Sequence, residues 1–408
     1  MSLKFVRIAV ALAAFASGAA SAAINLPAYN VDTSNTTVSG LSSGGFMANQ
    51  LGIAYSSLFK GVGVFAAGPY MCAGLSNYTA CMYNASISSS ALTNMQNRID
   101  TWSGSQIDNK SNIAGQKVYL FVGTSDTTVG QNPVTALKTQ YTDNGVSTAN
   151  LEHVVRSGAS HTFPTDFDST GNNSCGTAAS PYISNCSYDG AKAVLTKFYG
   201  TLNARNNAPA ASNFIEFNQS EFTTNAGMAA TGWVYVPSSC ASGTQCKVHV
   251  ALHGCQQSTD KIGDKFVKNT GYARWADTNN IIVLFPQTKT DNTSRSTAAS
   301  GSLANANACW DWIGWYGTAF AQKTGPQMTA IKAMVDRISS GSGSSGGGGG
   351  GTTTLAAPTG VATSNATTST MKITWNAVSG ASTYNIYRNN NKTNALGVSA
   401  TTFTDTGL

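Results

Sequence analysis

Residues 40–44 have the types and spacing of a serine nucleophile. They read Gly-Leu-Ser-Ser-Gly, a G-x-S-x-G pattern that places Ser42 between two glycines at the start of an amphipathic segment. Such a pattern predicts a sharp turn from a strand into a helix, which lifts the serine Oγ clear of the backbone and directs helix N–H groups toward a developing oxyanion. In a chain with 41 glycines, the same residues are also typical of a plain turn. Ser42 is therefore a candidate that needs partners elsewhere in the sequence.

A carboxylate and an imidazole follow Ser42 along the chain. Asp126 lies in a turn after the apolar run 117–122, where a triad places the acid that orients its histidine. His161 follows a second strand-like run and a loop of small residues, whereas His153 and His249 lie inside strand patterns. A lone Asp in a turn is usually a capping residue. The order serine, acid, histidine is that of α/β hydrolases, so the three together predict a catalytic triad.

The candidate oxyanion donors come from two distant segments. Ser43 directly follows the proposed nucleophile, and Cys255 ends the sequence His253-Gly254-Cys255 after the strand-like run 247–252. Backbone N–H groups suit this role because they are fixed in place before the charge develops. A His-Gly loop of this kind normally precedes the nucleophile of an α/β hydrolase, whereas here it follows. We therefore expect a circularly permuted α/β-hydrolase domain.

The elements that must position these residues alternate between strands and helices. This alternation predicts an α/β fold with a mostly parallel sheet. The expected strands are Gly61–Phe65, Lys117–Val122, Lys247–Leu252 and Ile281–Phe285, and the expected helices are Gly45–Ser57, Ala191–Tyr199, Phe266–Asn279 and Pro326–Ile338.

Composition and charge exclude several classes of partner. The 408 residues carry a net charge of +6, only 10% are charged, and Lys and Arg form no dense run. Nucleic acid is therefore not an expected partner. The sequence also lacks an apolar run of the roughly 18–20 residues that a membrane span requires. We expect a monomer that binds neither nucleic acid nor membrane.

The N-terminus predicts export. Lys4 and Arg7 precede the apolar run 8–15, and the segment closes with Ala-Ser-Ala at 20–22. This arrangement is typical of a secretory signal peptide, 1–22, so we expect a secreted, extracellular protein. A buried first helix is the alternative.

Eight cysteines agree with an exported chain. An even number in a secreted protein suggests disulfides, although eight cysteines allow 105 connectivities. Proximity along the chain favours the pairs Cys72–Cys81, Cys175–Cys186, Cys240–Cys246 and Cys255–Cys309. A zinc site is the rival, but no cysteine or histidine pair has the required spacing. We expect no metal.

Three regions follow the signal peptide. Residues 23–338 form the expected catalytic domain, and 339–356 form a Gly/Ser-rich linker that cannot bury apolar surface. Residues 357–408 alternate with a period of two and resemble the opening strands of a fibronectin type III module. Such a β-sandwich needs roughly 100 residues, so we expect a partial module.

The catalytic region resembles the extracellular short-chain polyhydroxyalkanoate depolymerases, which cleave poly(3-hydroxybutyrate). It is similar to the branch whose lipase box lies near the mature N-terminus. The matching stretches cover most of 23–338; they are 39–47, 123–129, 158–164, 252–255 and 308–310.

The resemblance implies a substrate and a mechanism. The substrate is an insoluble polyester or its oligomers, and hydrolysis passes through an acyl-enzyme without a cofactor. In the family, a Trp directly after the matching Cys lines the cleft, so that role comes to Trp310. Asn305 lies nearby and is a further candidate to bind an ester oxygen.

Two other functions stay open on the sequence. One is an esterase of plant cell-wall esters, of the feruloyl or acetylxylan type, since such enzymes also carry fibronectin-like modules. The other is a non-catalytic adhesion protein with a degenerate hydrolase fold, against which the intact Ser42, Asp126 and His161 argue.

Overall fold

In the computed structural model, the chain divides into two compact units, Met1–Ser342 and Gly343–Leu408. It describes residues 23–299, 301–341 and, within 358–406, all residues except 368, 379–383, 385, 389–390, 393–397 and 399. The expected signal peptide and most of the expected linker lie outside the described residues. In the described part of the chain, no helix has the length and hydropathy needed to cross a membrane.

The larger unit is a mixed α/β fold. Its elements in chain order are β1 (Thr36–Leu41), α1 (Ser43–Ala54), β2 (Phe59–Phe65), α2 (Ser89–Trp102), β3 (Lys117–Gly123), α3 (Gln131–Asp143), β4 (Leu151–Arg156), β5 (Phe163–Thr165), β6 (Asn173–Ser174), β7 (Ile183–Asn185), α4 (Gly190–Tyr199), β8 (Phe214–Asn218), β9 (Thr231–Tyr235), α5 (Ser238–Ala241), β10 (Lys247–Leu252), α6 (Thr259–Ile262), α7 (Lys265–Asn269), α8 (Tyr272–Ala276), β11 (Ile281–Phe285), β12 (Asp291–Ser296), β13 (Ser302–Asn305) and α9 (Pro326–Ser339).

One eight-stranded sheet organises this unit, in the order β4-β3-β2-β1-β10-β11-β9-β8. The first six strands are parallel, and β9 pairs antiparallel with both of its neighbours. β1 and β10 lie side by side at the centre, although they are far apart in the unit's sequence. In such sheets, ligands bind beyond the carboxyl ends of strands whose connections lead to opposite sides. The sheet therefore brings the end of β1 and the end of β10 to one place.

Alternate residues of the central strands pack into two separate cores. On β11, Ile282 and Leu284 lie in one core, and Ile281, Val283 and Phe285 lie in the other. Burial on both faces explains why these strands are continuous apolar runs. The expected strands at 247–252 and 281–285 are confirmed with the same bounds.

One expected helix is wrong. Residues 266–279 form two short helices, α7 and α8, instead of one. The break comes at Gly271, which has a φ of 90°, a left-handed conformation that a continuous helix cannot contain. Helix α1 also begins two residues earlier than expected, directly after Ser42.

The cysteines of the larger unit form four disulfides. They join Cys72 to Cys81, Cys175 to Cys186, Cys240 to Cys246 and Cys255 to Cys309, which are the pairs expected from proximity. The last pair joins the loop after β10 to the segment after β13, so a covalent bond spans two distant parts of the sequence.

The smaller unit consists of short antiparallel strands. They are β14 (Ala362–Ser364), β15 (Met371–Thr374), β16 (Tyr387–Arg388), β17 (Asn391–Lys392) and β18 (Thr402–Asp405). β15 lies between β14 and β18 in a three-stranded sheet. Trp375 is buried, and its ring meets that of Tyr384 at a centroid distance of 5.2 Å.

Glycine permits a close approach between the first turn of α1 and the sheet. A Cβ on Gly44 would lie 2.3 Å from the carbonyl oxygen of His253, and a Cβ on Gly40 would lie 2.3 Å from that of Gly44. Both distances are far below van der Waals contact, so no side chain fits at either position. The first turn of α1 therefore rests directly against the end of β10.

We expect Gly44→Ala to destabilise the protein, because the new methyl group must push β10 away from α1. Overpacking against backbone costs about 1–3 kcal/mol or more. Gly115→Ala is the matched control, since a Cβ there meets nothing within 4 Å. Urea denaturation measures both. A free energy of unfolding for Gly44→Ala within about 0.5 kcal/mol of the wild type would contradict the close packing.

Candidate active site

Ser42 occupies the turn between β1 and α1 in a strained conformation. Its φ of 56° and ψ of −121° lie in a region that L-residues rarely adopt. The turn is held from both sides: the Ser42 N–H donates to the carbonyl of Phe65 (2.9 Å), and its own carbonyl accepts from the N–H of Phe46 (2.9 Å). Strain of this kind persists only where the surroundings enforce it, and it is concentrated at functional sites.

His161 and Asp126 form a buried pair. The ring Nδ1 lies 2.9 Å from one carboxylate oxygen of Asp126. The other oxygen accepts the backbone N–H groups of Thr128 and Val129, both at 2.9 Å. Burial opposes ionisation of this carboxyl, but the charge and hydrogen bond of His161 and the two N–H groups outweigh it, so the pKa of Asp126 is lowered. Asp126 is thus an anion that can orient the ring and stabilise its protonated form.

Neighbouring segments hold the loop that carries His161. The N–H of Ser160 donates to the carbonyl of Cys175 (3.0 Å), and the N–H of Phe163 donates to the carbonyl of Tyr182 (2.8 Å). The disulfide from Cys175 to Cys186 closes the segment that supplies both acceptors. The loop between β4 and β5 is therefore anchored on each side of the histidine.

Ser42 and His161 line one cavity, of about 200 Å³. A second cavity, of about 300 Å³, shares Ser42 with the first. The other residues common to both are Met82, Cys255 and Asn307. The remaining lining of the second cavity is largely apolar: Phe46, Tyr78, Tyr83, Val129, Leu303, Cys309, Trp312, Ile313 and Trp315. We call Trp312, Ile313 and Trp315 the aromatic wall.

Two backbone N–H groups adjoin the nucleophile. Ser43 is the first residue of α1, where a helix leaves its N–H without an intrahelical acceptor. Cys255 lines both cavities beside Ser42, and its N–H has no backbone acceptor among the described residues. A Cβ on Gly254 would lie 3.3 Å from the Ser42 Cβ, so the two segments are in contact. The geometry fits an oxyanion hole of two fixed donors.

A buried histidine supports the oxyanion loop. His253 is fully buried; its Nδ1 lies 2.8 Å from the carbonyl of Gly254, and its Nε2 lies 3.2 Å from the N–H of Thr288. Burial lowers the pKa of His253 to about 4, so the ring is neutral near pH 7 and fits one donor and one acceptor. Its neighbour on β10, His249, is likewise buried, and its ring nitrogens contact Thr37 and Ser39 rather than the cavity.

The structure does not bring the two expected substrate contacts, Trp310 and Asn305, to either cavity. Trp310 is fully buried, and its ring packs against His253 at a centroid distance of 5.3 Å. The side-chain amide of Asn305 hydrogen-bonds to the backbone of Cys309. Its Oδ1 accepts the Cys309 N–H and its Nδ2 donates to the Cys309 carbonyl, both at 2.8 Å. Neither residue lines the two cavities.

Two nearby residues line the cavities instead. Asn307 lines both cavities, and Trp312 lines the larger one. Trp312 stacks on Phe46, with ring centroids 4.1 Å apart and planes at 14°. Phe46 lies one turn into α1 and lines the larger cavity together with Ser42, so Trp312 packs close to Ser42. In the sequence, the only signal for Trp312 was the density of aromatic residues after Cys309.

Metal ligands do not gather in the described part of the chain. Among those residues, no group of three or more His, Cys, Asp or Glu side chains could hold an ion.

Comparisons with known proteins show that the relatives of this chain are poly(3-hydroxybutyrate) depolymerases. The chain is 51% identical over 420 residues to a poly(3-hydroxybutyrate) depolymerase of Delftia acidovorans, covering 100% of this chain and 81% of that protein. It is also 51% identical over 322 residues to a polyhydroxybutyrate depolymerase of Talaromyces funiculosus, covering 78% of this chain and 94% of the relative. No model of a protein family matches.

Two solved structures resemble the larger part of the chain. One is the crystal structure of the PHB depolymerase from Penicillium funiculosum, and the other is a PHB depolymerase with a serine replaced by alanine, in complex with an R3HB trimer. Each superimposes with a TM-score of 0.75 at 51% identity and covers 78% of this chain and 99% of the other chain.

The lowered pKa of His253 predicts a pH-dependent contribution to stability. The unfolded histidine titrates near 6.5 and the folded one near 4. Its contribution is therefore complete above pH 6.5 and is lost as the pH falls toward 4. We expect the difference in unfolding free energy between wild type and His253→Gln to fall by up to about 1.4 kcal/mol per pH unit in this window. Urea denaturation across the range measures it.

The same comparison contains its own control. Between pH 7 and 8 the difference should be constant, because neither state takes up a proton at this residue. A difference that is equally constant between pH 6.5 and 4 would contradict a buried neutral His253.

Proposed function

Because this chain belongs to the poly(3-hydroxybutyrate) depolymerases, we propose that it hydrolyses poly(3-hydroxybutyrate), or a related short-chain polyhydroxyalkanoate, through an acyl-enzyme on Ser42. The observation that carries the assignment of residues is the 2.9 Å contact between His161 and Asp126 beside the cavity that Ser42 lines. The protein is a serine ester hydrolase, and the alternative substrate, a plant cell-wall ester, is not favoured.

The triad geometry supports a two-step reaction. With Nδ1 of His161 held by Asp126, Nε2 is the nitrogen available to take the proton from Ser42 Oγ as that oxygen attacks the ester carbonyl. The same proton then passes to the leaving alkoxide, which departs as a chain with a free hydroxyl end. Water, deprotonated by His161, attacks the acyl-enzyme, releases the carboxylic acid and restores Ser42.

The oxyanion is stabilised by donors that need no rearrangement. We assign this role to the backbone N–H groups of Ser43 and Cys255. The first is fixed by α1, and the second by the disulfide to Cys309 and by the bond from the Gly254 N–H to Gln257 Oε1 at 2.6 Å. Loss of one such donor typically lowers kcat about 10²–10³-fold.

The chemistry of the two cavities suits a neutral polyester. No Lys, Arg, Asp or Glu lines either of them. A chain of ester units with methyl branches gains from apolar burial there, and Asn307 offers an amide to the ester oxygens. A substrate with charged groups would lose hydration without forming an ion pair.

We further propose that the sheet is a circularly permuted α/β-hydrolase sheet. If the ends of the larger unit were joined and the chain reopened between α4 and β8, the strands would run β8, β9, β10, β11, β1, β2, β3, β4. The oxyanion loop would then follow the third strand, where α/β hydrolases carry it, and the nucleophile would come after it. The strand order supports this interpretation.

We also propose the identity of the C-terminal unit and the cellular location of the protein. The buried Trp375 and the antiparallel strands support a partial fibronectin type III-like module. Four disulfides support a secreted protein, since such bonds persist in oxidising compartments.

The test is clearance of a suspension of poly(3-hydroxybutyrate) granules, followed as loss of turbidity, with p-nitrophenyl butyrate as a soluble substrate. We expect the wild type to clear the granules and Ser42→Ala to lose about 10⁴–10⁶-fold in rate on both substrates, because the acyl-enzyme cannot form.

Ser147→Ala is the matched control, since Ser147 is exposed and lies outside both cavities. It should behave as the wild type does. Hydrolysis of the butyrate ester without clearance would point to a different ester as substrate, and activity retained in Ser42→Ala would contradict the mechanism.

A further inference from the structure

A buried carboxylate lies directly before the aromatic wall. Asp311 is 2% exposed. One of its carboxylate oxygens accepts the N–H groups of Gly314 (2.6 Å) and Trp315 (2.9 Å), and the other accepts the N–H of Tyr316 (2.9 Å). The backbone of the wall is therefore wound around a single acidic side chain.

Asp311 has no cationic partner to explain its burial. Among the described residues, no Lys, Arg or His forms an ion pair with it. Burial raises the pKa of Asp311 to about 6, against the opposing effect of the backbone N–H groups. A carboxylate that is ionised near pH 7 and satisfied only by backbone donors is costly to bury. A substitution of Asp311 therefore leaves the N–H groups of Gly314, Trp315 and Tyr316 without these carboxylate acceptors.

The backbone of Asp311 is anchored to the scaffold. Its N–H donates to Gln327 on α9 (2.8 Å), and its carbonyl accepts from Gln50 on α1 (3.0 Å). The wall packs against the hydrophobic core, and the carbonyl of Ile313 accepts the N–H of Ala298 (2.9 Å). Trp312 stacks on Phe46, and the indole N–H of Trp315 has no hydrogen-bond partner. The Asp311 carboxylate adds the bonds to Gly314, Trp315 and Tyr316 that fix the path of the wall's backbone from the anchored residue to the cavity.

We propose that Asp311 is a positioning residue for substrate binding: its carboxylate holds Trp312 and Trp315 at the cavity and so sets the affinity for an oligoester chain, without taking part in the chemistry at Ser42. The inference rests on the proposed function, because it assigns the larger cavity to the polyester.

This role separates binding from chemistry. A p-nitrophenyl acetate molecule needs only the proposed triad of Ser42, His161 and Asp126 and the oxyanion donors. A (R)-3-hydroxybutyrate trimer is long enough to extend along the aromatic wall. A displaced wall should therefore weaken binding of the trimer and leave hydrolysis of the acetate unchanged.

Asp311→Asn is the direct test. The side chain keeps its volume, but an NH₂ donor replaces one acceptor oxygen and meets a backbone N–H. We expect KM for the trimer to rise about 5- to 50-fold, the range for loss of one or two hydrogen bonds. We expect kcat for the trimer and kcat/KM for p-nitrophenyl acetate to stay within about threefold of the wild type, which is under 1 kcal/mol.

Two further variants make the result decisive. Trp312→Ala removes part of the wall itself and should show the same rise in KM at constant kcat. Gly314→Ala, at a φ of 87° and with its new Cβ 2.9 Å from that of Ala298, displaces the wall while Asp311 stays. It decides the question if Asp311→Asn does not fold.

Asp189→Asn is the control for the loss of a carboxylate away from the cavities. The side chain of Asp189 is 6% exposed and accepts a backbone N–H, that of Lys192 at the start of α4 (2.8 Å). Unlike Asp311 it pairs with a cation, Arg205 (2.7 Å), and it lies outside both cavities. Its KM for the trimer should equal that of the wild type.

Two outcomes would overturn the inference. In one, Asp311→Asn lowers the rates on trimer and acetate equally, which is the signature of a general structural role. In the other, both Asp311→Asn and Gly314→Ala bind the trimer as the wild type does. A wild type that hydrolyses the acetate but neither trimer nor granules would instead overturn the proposed function, and this inference with it.

Discussion

The tight contact between the first turn of α1 and the end of β10 positions the candidate active site. Because Gly40 and Gly44 have no side chains, the nucleophile turn rests against the backbone of His253. The two proposed oxyanion donors, the N–H groups of Ser43 and Cys255, are far apart in sequence and thereby come close to Ser42. β3 and β4 run parallel to β1, so the acid and base loops emerge at the same edge. The candidate site is therefore assembled from several loops that follow strands of one sheet edge.

Burial gives each titratable group at this edge a different role. His253 is neutral because burial lowers its pKa, so it can hold the oxyanion loop without adding a positive charge. Asp126 is ionised because His161 and two backbone N–H groups outweigh its desolvation. Asp311 is a buried carboxylate whose oxygens accept hydrogen bonds from backbone N–H groups and form no ion pair among the described residues. The cavities themselves are lined by no charged Lys, Arg, Asp or Glu, which suits an uncharged polyester.

The contact between His161 and Asp126 and the buried strands could be predicted from the sequence, whereas the aromatic wall of the larger cavity could not. Each triad member lies at or just beyond a strand end, and apolar runs mark those strands well. The segment 305–316 is different, because it is irregular and no period relates its side chains to one face. Ala308 takes a φ of 50°, and the Asp311 carboxylate turns the following backbone. As a result Trp310 enters the core and Trp312 lines the cavity, although both stand in the same aromatic run.

The central claim is that His161 and Asp126 activate Ser42 as the nucleophile. Reaction with a fluorophosphonate, followed by mass spectrometry of the peptides, tests it most directly, because the reagent bonds covalently to an activated serine and needs no polymer. The account predicts one adduct per chain, on the peptide that contains Ser42, and labelling of Asp126→Asn that is slower by about 10⁴-fold, in line with the effect of this change in a triad. An adduct on another residue, or a protein that clears granules while Ser42 stays unlabelled, would contradict it.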